Sequence, residues 1–194
     1  DMLALMMLCN GTRVGETRMT RRADIKMPER EWFIPAEHTK TRTEHRLPLT
    51  DQVCALLRRY RDVQLAAGYQ GAYLFPASRR GPLGATPASQ VFAELSDRQW
   101  TSHDVRKVAR TCWMDLGVDY LVGEMLVNHA LRNMDATYIH TTAEALKRQA
   151  LERWYDQLDR LGLNALTGET YPRHEVSQKP LQAKDHAASG ENPD

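Results

Sequence analysis

The chain opens on an almost unbroken apolar run, Met2-Leu3-Ala4-Leu5-Met6-Met7-Leu8-Cys9, closed by Asn10-Gly11. It is far shorter than the roughly 20 apolar residues needed to cross a bilayer. It therefore predicts a buried helix, ended by residues that accept the left-handed conformation found just after helices. A second helix is expected from Val14 to Arg22. Ala23 to Lys26, Glu31 to Pro35 and His45 to Leu49 are short extended segments separated by turn-forming or charged residues, and they predict a small antiparallel sheet. Thr50-Asp51 then caps a helix through Leu65, with Val53, Leu56, Leu57, Tyr60 and Val63 on one face.

Residues 68 to 88 are rich in Gly and Pro and read as a surface connection around a short apolar Tyr73-Leu74-Phe75 segment. Helical pattern resumes near Ser89. Ser102 caps a helix over His103 to Leu116, Gly117 stops it, and Asp119 caps another to Val127; a last long helix is expected from Asn133 to Arg160. Beyond Asn164 the chain is polar and lacks apolar periodicity, so it cannot bury enough surface to offset the entropy of ordering. The expected organisation is one domain over residues 1–160 and a flexible tail over 161–194. The fold class is α+β, mainly α-helical, with a small three-stranded antiparallel sheet near the N-terminal third. The first helix starts without an initiator Met, as in a domain excised from a longer protein.

Composition narrows this little. With 194 residues, 42% of them hydrophobic and 26% charged, one soluble globular domain is expected. A net charge of +1 does not by itself announce a nucleic-acid binder. The clusters Arg18, Arg21, Arg22 and Arg58, Arg59, Arg61 read as solvated helix faces. Cys9, Cys54 and Cys112 are odd in number, far apart and in apolar or helical settings, which suits reduced thiols in a cytoplasmic protein. Neither CxxC nor HExxH is present, so no metal and no cofactor are expected.

Several short stretches could carry chemistry. His103 and Arg106, in Ser102-His103-Asp104-Val105-Arg106, share a face in the first turn of a helix, where backbone amides already favour an anion. Taken alone, the spacing favours a capped helix with two exposed polar side chains. Arg13, in Gly11-Thr12-Arg13-Val14-Gly15-Glu16, reads either as a surface residue paired with Glu16 or as a guanidinium aimed at a phosphate and held by that carboxylate. Lys40 lies near the tip of a polar hairpin that returns through His45 to Pro48. In Val127-Asn128-His129 a histidine follows a helix end, and Tyr138 comes nine residues later.

These pieces, in this order, resemble the catalytic domain of the tyrosine recombinases, the phage-integrase family, over Leu3 to Tyr155. The resemblance matches Arg13 to the family's first arginine, with Glu16 orienting it or His103. It matches Lys40 to the hairpin lysine, His103 and Arg106 to the HxxR box, His129 to the following histidine or tryptophan, and Tyr138 to the nucleophile. Asn128 stands where the family usually has Gly, and Thr12 where it is usually apolar. The activity implied is site-specific recombination of phage or mobile-element DNA through a 3′-phosphotyrosyl intermediate, without ATP. In that picture Arg13, Arg106 and His129 stabilise the phosphate, His103 helps to accept the tyrosine proton, and Lys40 protonates the leaving 5′-oxygen. The implied partners are double-stranded recombination sites, a homotetramer on DNA in the full-length protein and DNA-bending accessory factors. The family's N-terminal DNA-binding segments are expected to lie outside this chain, and the isolated domain is expected to be monomeric and away from membranes. A type IB topoisomerase shares this chemistry. A non-catalytic helix-turn-helix module would account for His103 to Val127 but for none of Arg13, Lys40 or Tyr138.

Overall fold

The computed structural model describes residues 1–77, 81–129 and 142–167. The apolar opening forms α1 (Met2–Asn10), which ends at Gly11 in the left-handed region, with the Gly11 amide donating to Met7 O. Being apolar on every side, α1 sits centrally and touches five of the other helices. Trp154, 2% exposed, closes over it and donates its indole N–H to Leu8 O, one of the carbonyls that a helix C-terminus leaves unpaired. Trp32, Phe92, Trp113 and Leu151 are among the side chains completing the same core.

Helix α2 (Val14–Arg18) stops four residues earlier than the periodicity predicts. The chain is pulled aside there: Thr20 O accepts from Leu74 N, Arg22 N donates to Ala72 O, and Arg21 bridges to Tyr73. The Gly- and Pro-rich connection is thus anchored, and Leu74 and Phe75 enter the core. Its clamps include two arginines expected on a solvated face. Arg18 donates to Leu83 O, and Arg22 donates to Gly71 O and Gln64 Oε1 while lying over Tyr69.

Strands β1 (Ile25–Lys26), β2 (Glu31–Ile34) and β3 (His45–Pro48) form the antiparallel sheet, in the order β1-β2-β3. The register pairs Trp32 with both Ile25 and Leu47, and Ile34 with His45. Alternation along β2 sends Trp32 and Ile34 into the core, with Phe33 on the other side under Lys26 and Arg46. Helix α3 (Asp51–Ala66) is capped by Thr50, which accepts from Val53 N. Val53 and Leu57 are buried as expected, but Val63 is 60% exposed, because the last turn of α3 runs past the core.

Helix α4 (Ala85–Leu95) begins at Ala85 rather than Ser89. Pro87 falls in its first turn, where a missing N–H costs no helical bond. Helix α5 (Ser102–Asp115) is capped one residue earlier than expected, with Asp104 accepting from both the amide and the hydroxyl of Thr101. Helix α6 (Tyr120–Leu126) starts from Asp119, which accepts from Leu121 N and Val122 N. Helix α7 (Thr142–Arg160) covers the open edge of β3, where Lys147 donates to Arg46 O. Arg148 extends that cover by donating to Leu49 O. The expected start of this helix at Asn133 lies outside the described residues.

Residues 161–167 are not a loose tail. Leu163 is buried, and helix α8 (Asn164–Thr167) packs on α3, with Arg59 donating to Leu166 O. Buried Leu163 and Thr167, with the Arg59 bond, hold a segment that carries no helical periodicity of its own. Among the described residues no helix is long and apolar enough to cross a membrane, and all three cysteines are free thiols.

Candidate active site

Helix ends converge on Arg106. The α1–α2 turn exposes the carbonyl of Gly11, and the last turn of α6 exposes those of Leu126 and Val127, which have no intrahelical partner. Arg106, rising from the first turn and a half of α5 and only 6% exposed, donates from Nη1 to Gly11 O at 2.5 Å and from Nη2 to Val127 O. A guanidinium suits two helix C-termini, where the backbone dipoles concentrate negative charge. Burial, and after it the charge of Arg13, pushes its pKa down to about 10, so it stays protonated at neutral pH. Two of its five N–H donors are used by carbonyls.

The carbonyl of Leu126 is taken by His45, at the start of β3, whose Nε2 lies 3.1 Å away. That geometry needs a proton on Nε2, donated to the carbonyl. Burial, followed by the charge of Lys147, pushes the His45 pKa down to about 3, with Arg106 and Arg13 adding to the effect. His45 is thus a neutral strut under a cluster of cations.

Arg13 precedes α2 in extended conformation. Glu16, 2% exposed, accepts from the Arg13 amide at 2.8 Å and from Nη1 at 2.9 Å, so one buried carboxylate fixes both the backbone and the guanidinium. The side chain of Arg13 keeps 26% of its surface open. Thr12, unusual for this turn, is buried and satisfied: its hydroxyl lies 2.7 Å from that of Thr17, which in turn donates to Arg13 O.

Asn128, which stands where the family usually has Gly, follows α6 with φ of 51° in the left-handed region that Asn tolerates, and its amide donates to Met125 O. The turn brings His129 back on Glu124, whose carbonyl accepts from the His129 amide and whose Oε2 lies 2.6 Å from His129 Nδ1. Arg110 Nε donates to the other oxygen at 3.0 Å. Burial works against ionisation of Glu124, but the bonds from His129 and Arg110 outweigh it and hold the carboxyl below its usual value.

The remaining sequence-derived residues stand apart. His103, second residue of α5, is exposed, and Lys40 is exposed in the turn between β2 and β3. The turn itself is pinned, since the Thr39 hydroxyl lies within hydrogen-bond distance of the carbonyls of Ala36 and Thr43. Among the described residues neither His103 nor Lys40 hydrogen-bonds to the arginine pair. Tyr138 lies outside the described residues. Glu124, Arg110 and His45 were not legible as site residues: Glu124 and His129 are five apart, a spacing that does not pair on a helix, and only the left-handed turn joins them.

The arrangement gathers the buried Arg106 and the partly open Arg13 around two helix ends, each held by fixed partners. A cavity of about 410 Å³ lies away from it, between α3 and β1, and is lined by Arg22, Ile25, Leu57, Arg61 and neighbours. Among the described residues no group of three or more His, Cys, Asp and Glu side chains could hold a metal.

Comparison with known proteins places this arrangement in context. Solved structures similar to the chain include the integrase from mycobacterium phage Brujita, at 22% identity and a TM-score of 0.58 over 78% of this chain and 50% of that one. The XerA recombinase is similar at 22% identity and a TM-score of 0.57, over 81% and 57% of the two chains. The Tn1549 transposon integrase, solved in complex with transposon right-end DNA, matches at 14% identity and a TM-score of 0.56, over 81% and 57%. At these identities the likeness is one of fold, and the chain spans about half the length of these relatives. No curated protein matched the chain. The phage integrase family model matches residues 1–145, three quarters of the sequence. With that match over three quarters of its length, and a fold like that of these structures, the chain belongs to the phage integrase family.

Proposed function

We propose that this chain is the catalytic part of a site-specific recombinase that breaks and rejoins double-stranded DNA through Tyr138. The observation that carries the reading is the Arg106 guanidinium, which links the carbonyls of Gly11 and Val127 and so brings the turns bearing Arg13 and His129 to one place. A phosphodiester approaching its transition state gathers negative charge on its non-bridging oxygens, and preorganised donors stabilise that charge without having to reorient. Arg13 and Arg106 supply planar, permanently charged forks, and His129 a further hydrogen bond.

In the cleavage step Tyr138 Oη attacks phosphorus, a 3′-phosphotyrosyl bond forms and the bond to O5′ breaks. The phenolic proton leaves toward His103, and Lys40 gives a proton to the departing 5′-oxygen. The 5′-hydroxyl of a partner strand then attacks the phosphotyrosyl bond in reverse. Exposure of Lys40 on its turn suits an acid that must reach DNA. The phosphotyrosyl ester conserves the energy of the broken phosphodiester, so no nucleotide triphosphate is consumed. In the full-length protein the reaction would run in a homotetramer on two sites, with DNA-bending accessory factors and in the cytoplasm. The isolated chain is expected to be monomeric by light scattering.

On a nicked duplex carrying the target site, Tyr138→Phe should abolish the covalent adduct while leaving DNA binding intact. An adduct that persists in this variant, on the 64%-exposed Tyr120 for example, refutes the assignment. Lys40→Ala should be rescued by a substrate with a sulfur at the 5′-bridging position, which needs no protonation to leave. Relaxation of plasmids by single sites without recombination would instead mark a topoisomerase.

A further inference from the structure

We infer that Glu124, backed by Arg110, is a positioning residue that fixes the imidazole of His129 with Nδ1–H bound to its carboxylate and Nε2 left to meet the scissile phosphate. The inference rests on the recombinase reading for its last clause and on geometry alone for the rest.

His129 is the most weakly enclosed of the phosphate-facing groups, with 46% of its side chain exposed, and an exposed imidazole has no preferred orientation of its own. Two links to a single residue remove that freedom. The His129 amide donates to Glu124 O at 3.0 Å, and Nδ1 meets Glu124 Oε2 at 2.6 Å, shorter than an ordinary nitrogen–oxygen hydrogen bond. The left-handed Asn128 makes both possible by folding the chain back over the helix it has just left. A hydrogen bond at one ring nitrogen sets what the other can do. With Nδ1 donating, Nε2 accepts a proton when the ring is neutral and donates to a phosphate oxygen when it is charged. Without the carboxylate, neither the tautomer nor the ring plane is set.

The carboxylate is itself held. Arg110 Nε occupies its second oxygen at 3.0 Å, Arg110 Nη2 donates to Tyr120 O at 3.2 Å, and the guanidinium lies 5.0 Å over the Tyr120 ring. Only 14% and 15% of the Arg110 and Glu124 side chains are exposed, so their pairing is shielded from solvent. Gly123 gives an independent indication. Glycine in the middle of a helix costs about 1 kcal/mol relative to alanine, yet α6 carries one there. A Cβ at that position would come within 2.7 Å of Arg110 Cζ and 2.8 Å of Nη1. The missing side chain is the clearance through which Arg110 reaches Glu124.

The test uses the full chain, labelled with ¹⁵N, and long-range ¹H–¹⁵N correlation of the histidine rings in mildly alkaline buffer, with His129→Gln assigning the signal. Wild-type His129 should show the Nδ1–H tautomer; Glu124→Gln, which still accepts, should keep it, and Glu124→Ala should shift it toward Nε2–H. Adduct formation on the nicked duplex should slow by about 10–100-fold in Glu124→Ala, the range seen when a carboxylate orienting a functional histidine is lost. Glu124→Gln should recover part of that rate, and DNA affinity should be unchanged in both. An Nε2–H tautomer in the wild type, a spectrum indifferent to Glu124→Ala, or a tautomer change with no change in rate would each overturn the inference. Absence of any adduct in the wild-type chain would count against the recombinase reading instead, while the ring spectra still decide whether Glu124 holds the histidine.

Discussion

Replacing Gly11 by alanine should destabilise the domain, because two independent constraints meet at that residue. Its φ of 64° lies in the left-handed region, which costs a residue with a Cβ about 1–2 kcal/mol. The new methyl carbon would also stand 2.5 Å from Cη2 and 3.1 Å from Cζ2 of Trp113, an indole that is fully buried and cannot swing away. Overpacking of this kind costs a further ~1–3 kcal/mol. A total near 3 kcal/mol should lower the melting temperature by about 6–12 °C in a domain of this size. Thermal and urea unfolding followed by tryptophan fluorescence would measure it. Gly15→Ala is the internal comparison, since its Cβ would have nothing within 4 Å and it lies within α2. Trading a helical glycine for alanine there should leave stability unchanged or raise it by up to ~1 kcal/mol. Gly11→Ala melting at the wild-type temperature, or both variants falling equally, would refute the reasoning. Because Gly11 O receives Arg106 and Arg13 lies two residues on, Gly11→Ala should also reduce DNA cleavage beyond its effect on folding.

Other expectations follow from the same packing. His45 is held neutral with its pKa near 3 against an ordinary 6.5, so below pH ~6.5 the unfolded chain binds a proton that the folded one refuses. Stability from this group is complete above that pH and falls by up to about 1.4 kcal/mol per unit toward the folded value; pH-dependent melts of His45→Gln should lose that component of the slope, and an unchanged slope would contradict it. Glu16→Gln removes the charge that fixes Arg13 while sparing an acceptor for its amide, so adduct formation should slow by roughly tenfold or more with a smaller change in DNA affinity; an unaltered single-turnover rate would show that Arg13 needs no such partner. Burial pushes the Cys9 thiol up to about 12 and raises Cys54, whereas Cys112 is partly exposed. A thiol reagent should therefore modify no more than one cysteine in the folded chain and all three in denaturant; rapid reaction of two or more would place a gap in the core.

Much of this protein could be read locally. An apolar run closed by Asn-Gly gives α1, Thr50-Asp51 gives the start of α3, Asp119 gives α6, and alternation around Trp32 gives the sheet. In each case the cause lies within a few residues, in a cap, a turn preference or a period. The motifs around Arg13, Arg106 and Asn128-His129 stood out only through their order, which resembles the family's, and the left-handed Asn128 followed from its standing where the family usually has Gly. The misses have causes that are not local. Ending α2 at Arg18 depends on Thr20 meeting Leu74, and Val63 points to solvent because α3 outlasts the core. The ordered segment at Leu163 to Thr167 depends on a helix more than a hundred residues earlier in the chain.

What only the tertiary structure decided is which charges work together. The sequence contains Arg13, Arg106 and His129 as three separate motifs, each with a commonplace surface reading. The turns that precede Arg13 and His129 are tied together because two helices end close by and leave carbonyls that the single buried guanidinium of Arg106 satisfies. Glu124, Arg110 and His45 join them through contacts that follow no helical or strand period, since a left-handed turn and a strand end bring them together. Local chemistry determined the elements and their caps, whereas unpaired backbone groups at helix ends, a demand that can be met only across the fold, determined where the elements meet.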